Sequence, residues 1–102
     1  MAFEYLAALG ADTSIPLAKL FDSSDMRSRI EVLSAGSSEV LLRWLEAPRR
    51  AEWPEDIAVV RQPDGLLISF HSGTASARGE FLSCIRTQLV QAAQIFVEFE
   101  EL

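Results

Sequence analysis

His71 and Cys84 are the side chains of this 102-residue chain best suited to nucleophilic chemistry, and the sequence holds one residue of each type. A cysteine–histidine site needs a thiol of depressed pKa and usually a third group that orients the base. Cys84 falls in the middle of a helical pattern, beside its apolar stripe, where a free cysteine behaves as a small hydrophobe. His71 ends a strand pattern. The placement argues against catalysis by this pair. Zinc prefers four ligands, mostly Cys or His, and one of each is too few. The carboxylates could serve a hard cation, but no EF-hand loop or His-rich motif is present. We expect no catalytic residue, no metal and no cofactor.

Three further segments carry candidate chemistry. Residues 72–80 lead into a helix N-terminus, where free N–H groups, helped by Arg78, could hold a phosphate. The segment has neither a Walker ending nor GxGxxG, so it reads as a connection with Ser or Thr as N-cap. Glu98, Glu100 and Glu101 form the densest acidic patch, and alternation puts Glu98 and Glu100 on one strand face. Two neighbouring positions on an exposed strand do not make a glycosidase cleft. They read as charge that keeps an edge strand from pairing with other chains, or as a docking surface for a basic partner. The loop 48–56 adds Trp53, Glu55 and Asp56. Trp is a usual interface anchor, and it equally serves as a lid over the core edge.

The elements that must position these residues follow from periodicity. The spacing predicts a short helix over 2–10 with Phe3, Leu6 and Leu9 on one side, ended by Gly10 in the left-handed region. This stretch resembles a signal h-region only faintly, because it carries Glu4 and no positive flank. Pro16 opens a second short helix with Leu17, Leu20 and Phe21 as its apolar face. Met26, Ile30 and Leu33 predict a third helix over about 25–35, with Asp25/Arg29 and Arg27/Glu31 paired at i, i+4 and Gly36 beyond its end. Glu39, Arg43, Glu46 and Arg50 step by four, three and four, which predicts a buried helix over 38–47. A hairpin pairing 29–34 with 39–45 is the alternative.

Residues 57–62 and 66–71 read as a hairpin around Pro63-Asp64-Gly65, with Gly65 in a positive-φ G1 bulge. A long amphipathic helix covers about 75–94 on the stripe Phe81, Leu82, Ile85, Leu89, Ala92 and Ala93. The chain ends in a strand alternating Ile95, Val97 and Phe99 against Glu98 and Glu100. The fold class expected is α+β: one domain over 1–102, an N-terminal helical half, then a ββαβ unit with an antiparallel or mixed sheet and one packed helix.

Composition bounds the function. A net charge of −6 opposes binding to nucleic acid or an anionic membrane, both polyanions. No apolar run approaches the length of a membrane span. A single Cys84 excludes an intramolecular disulfide and points to a reducing, cytoplasmic setting. Eight Arg against one Lys, with many Ala, point to a GC-rich bacterial genome. In size, acidity and its hairpin–helix–acidic-strand ending, residues 57–102 above all, the chain resembles bacterial immunity proteins of polymorphic toxin systems. That resemblance implies an inhibitor that occludes a basic toxin such as a nuclease. The sequence thus favours a non-enzymatic protein-interaction module, with Glu98, Glu100, Glu101, Trp53, Glu55 and Asp56 as partner-binding residues. The alternative is a small-ligand or regulatory domain that self-associates through a strand edge.

Overall fold

Strict alternation between covered and uncovered side chains sets the architecture. In Glu39–Trp44, Val40, Leu42 and Trp44 are buried while Glu39, Leu41 and Arg43 are not. That is the period-2 pattern of a strand with one covered face. The computed structural model describes residues 3–9, 15–45, 54–63 and 65–102. Its strands are β1 (Phe3–Ala8), β2 (Ile30–Ala35), β3 (Glu39–Trp44), β4 (Ile57–Gln62), β5 (Gly65–Phe70) and β6 (Phe99–Glu101). They form one six-stranded sheet in the order β2-β3-β4-β5-β1-β6, antiparallel at every neighbouring pair. A 3-10 turn (Leu17–Phe21), α1 (Ser24–Arg27) and α2 (Ala75–Ala93) supply the helical segments.

β5 and β6 both run antiparallel to β1, which lies between them, and α2 connects them. The unit is a split β-α-β in which the first strand of the chain fills the gap. Thr74 caps α2, its hydroxyl accepting from the Ala77 N–H at 3.0 Å. Gln94, at φ 56°, closes the helix in the left-handed region.

The expected N-terminal helical half is absent, and this corrects the fold class. Residues 3–8 are strand β1. Of the helix expected over 25–35, α1 keeps Ser24–Arg27, and Ile30–Ala35 are strand β2. The helix expected over 38–47 is strand β3, paired with β2 in the hairpin that stood as the alternative. The physical reason lies in the steps. A spacing of four, as from Glu39 to Arg43, fits a strand as well as a helix, because four is an even number. The step of three that required a helix ends on Glu46, which lies outside the described residues, as do Gly10, Trp53 and Asp64. The Asp25–Arg29 pair does form, at 3.6 Å, from the end of a helix only one turn long. A register shift between Val32 and Ser34 leaves Leu33 exposed, so the Met26–Ile30–Leu33 stripe breaks at its last member.

The hairpin of residues 57–70 and α2 stand where the sequence puts them, although Ala92 and Ala93, expected on the helix's apolar stripe, are exposed. The terminal strand, expected from Ile95, begins only at Phe99 and is three residues long. Gly65 carries no positive φ. It pairs directly with Gln62 and Ala8 inside the ladder. A Cβ there would meet the Ala7 carbonyl oxygen at 2.3 Å. Close approach of β1 therefore demands glycine, in place of the expected bulge.

All helical segments pack on one face. Phe81 of α2 meets Phe70 and Trp44 edge-to-face, with centroids 5.5 and 5.9 Å apart, and stacks on Phe21 at 6.1 Å. Leu42, Ile57, Val59, Leu66 and Ile68 complete the core floor. Such aromatic pairs add about 0.5–1.5 kcal/mol each beyond burial of area.

Candidate functional site

The sheet's second face is built by the side chains that alternate away from this core. The register makes one row across five strands: Glu39 faces Val60, Val60 faces Leu67, Leu67 faces Leu6, and Leu6 faces Glu100. A neighbouring row runs Leu41, Ala58, Ser69, Glu4. The apolar members are half-buried and the three glutamates exposed. Among the described residues no helix covers this face. Arg43 reaches across to Glu31 at 2.7 Å, and Glu4 accepts from the Ser69 hydroxyl at 3.2 Å.

The residues expected to bind a partner are dispersed. Glu100 lies on the uncovered face opposite Leu6, whereas Glu101 pairs with Tyr5 and points to the other side. Glu98 precedes the strand, so it shares no strand face with Glu100. It is 96% exposed, with the Arg86 guanidinium 4.0 Å away. Glu55 is mostly buried, 4.0 Å from His71 Nε2. Asp56 is a structural clamp: its carboxylate accepts from the Trp44 N–H at 2.9 Å and the Ser72 hydroxyl at 2.8 Å. Three exposed acids thus gather at the β6 edge, and Glu55 and Asp56 turn inward.

The nucleophile candidates are held by different carboxylates. His71 stands beside Glu55 at an ion-pair separation. Cys84 faces α1, its thiol 3.1 Å from Asp25 Oδ2. Burial first, and then that hydrogen bond, push the thiol pKa up. A raised thiol is the reverse of what a nucleophilic cysteine needs. Arg29 bridges the same region, bonded to Glu80 at 2.5 Å, and that hydrogen bond raises its own pKa. These groups line an open groove of about 400 Å³ between α1 and α2. A second open groove lies beside Phe96, Val90 and Val97. Arg78, the candidate to help hold an anion at the start of α2, is instead committed. It donates to the Gly73 carbonyl at 2.7 Å and lies over the Phe3 ring at 3.9 Å.

Among the described residues no group of three or more His, Cys, Asp or Glu could hold a metal ion. No helix among them is long and apolar enough to cross a membrane. Sequence reading missed the apolar row bounded by Glu39 and Glu100. Its signal was present as alternation within residues 3–8 and 39–44, obscured once both were read as helices. Compared with protein-family models, with curated proteins and with solved structures, the chain gives no match.

Proposed function

We propose that this chain is a non-enzymatic, acidic protein-interaction module. In its most concrete form it is a cytoplasmic inhibitor of the immunity-protein type, occluding a basic toxin such as a nuclease. The observation that carries this reading is the collection of exposed carboxylates around one sheet edge. Glu98, Glu100 and Glu101 lie on or beside β6, and Glu4 lies on the adjoining β1. Within this group Arg86 is the cation near Glu98, at the limit of ion pairing. Uncompensated surface charge of one sign speeds encounter with an oppositely charged partner and selects it.

The test is retention of a native-host basic protein on the wild-type chain at low salt, followed by a salt ramp. A stoichiometric basic protein that elutes as salt rises, and that a Glu98→Lys/Glu100→Lys/Glu101→Lys chain of unchanged thermal stability fails to retain, supports inhibition by charge complementarity. Equal retention by the reversed chain removes the carboxylate edge from the mechanism.

A further inference from the structure

We propose that the uncovered sheet face is the docking surface, and that its occupant is a basic protein surface with an apolar centre flanked by Lys or Arg on both sides. The proposal rests on the interaction reading above and fixes where and how the partner sits. Three apolar side chains, Val60, Leu67 and Leu6, lie side by side across β4, β5 and β1. Glutamates close the row at both ends, Glu39 on β3 and Glu100 on β6. Four strand spacings separate those ends, about 19 Å at the usual inter-strand distance. The apolar centre supplies burial and the two ends supply direction.

Charge decides between occupants. A second copy stacked on this face would bring carboxylates against carboxylates. Among the described residues the face offers one cation, Arg43, and Glu31 already holds it. A partner carrying cations at the matching separation satisfies both ends and buries the row between them. Charge reversal at Glu39 and Glu100 should therefore invert the preference, which a purely apolar contact would not do.

The experiment uses the full chain labelled with 15N and two synthetic peptides. Both have Leu and Val at the centre; one carries Lys at both ends and the other Glu. Amide shifts confined to strands β3, β4, β5, β1 and β6, with the Lys-ended peptide about tenfold tighter, are the expected result. Glu39→Lys/Glu100→Lys should reverse the order of the two peptides, and Leu67→Thr should weaken both. Each variant is first checked for unchanged thermal unfolding. Shifts centred on α2 or Phe96, or equal binding of the two peptides, overturn the proposal. A dimer seen by sedimentation and broken by Leu67→Thr also overturns it, because the occupant would be a second copy. If the native partner stays bound to Glu39→Lys/Glu100→Lys and Leu67→Thr chains but is lost from the Glu98/Glu101-reversed chain, the interaction reading survives and this docking face does not.

Discussion

Asp56 holds the backbone of Trp44: its Oδ2 accepts the Trp44 N–H at 2.9 Å, just where β3 leaves the ladder with β4. Its Oδ1 accepts the Ser72 hydroxyl at 2.8 Å, and the Ser72 carbonyl in turn accepts the Trp44 indole N–H at 3.1 Å. One carboxylate therefore ties together the ends of three neighbouring strands. It also fixes the indole that stacks on Phe70.

Asp56→Ala should lower stability by about 1–3 kcal/mol, because it leaves a part-buried N–H and a hydroxyl without their acceptor. Urea unfolding followed by tryptophan fluorescence measures this. A loss below about 0.5 kcal/mol, the range of an ordinary surface change, would mean that the clamp makes no net contribution.

Two glycines should respond in opposite directions. At Gly65 an added Cβ meets the Ala7 backbone at 2.3 Å, so Gly65→Ala must push β1 away from β5. We expect a loss of about 2 kcal/mol or more, in the range of overpacking. Gly79 lies inside α2 with nothing within 4 Å of a Cβ, so Gly79→Ala should stabilise the chain by about 0.5–1 kcal/mol. Thermal unfolding of both variants side by side is the check, and equal shifts would contradict the packing of β1 on β5.

Cys84 should react slowly. Burial and the hydrogen bond to Asp25 hold its proton more tightly in the folded chain than in the unfolded one. The contribution to stability is thus complete below the unfolded thiol value of about 8.5. It is lost as pH rises through the raised folded value. The pH profile of iodoacetamide alkylation should have a midpoint above that of the same chain in urea. Asp25→Asn should lower that midpoint while leaving the part due to burial. A folded midpoint at or below the unfolded one would reopen a reactive role for this thiol.

Phe81→Ala should be the costliest single truncation in α2, at about 3–5 kcal/mol, because the ring is fully buried among Phe21, Phe70 and Trp44. Denaturant midpoints across Phe81→Ala, Leu82→Ala and Leu89→Ala would test the ranking.

Legibility followed locality. The β4–β5 hairpin carries its own turn signal in Pro63, and α2 carries nineteen residues of helical pattern, so neighbours in sequence suffice to specify both. β1, β2 and β3 are different. Phe3, Leu6 and Leu9 satisfy a helical spacing, yet Phe3 and Leu6 lie on opposite faces of β1, because Phe3 pairs with Phe70 and Leu6 with Leu67. β1 finds its partners more than 55 residues away in sequence, and no local pattern encodes such a pairing. The proposed docking row was hidden for the same reason: Glu39 and Glu100 end a common row only because β1 enters between β5 and β6.

By itself the sequence determined the acidity, the single thiol, the hairpin, the long helix and the apolar stripe that packs it. These depend on composition or on contacts within a few turns of chain. The tertiary structure decided that residues 3–8, 30–35 and 39–44 are strands, that Asp56 turns inward as a clamp, and that no helix among the described residues covers the apolar row bounded by glutamates. Each of these depends on strand register. A strand's side chains alternate with period two, so the neighbouring strand and the packed helices settle which residues become core and which become surface.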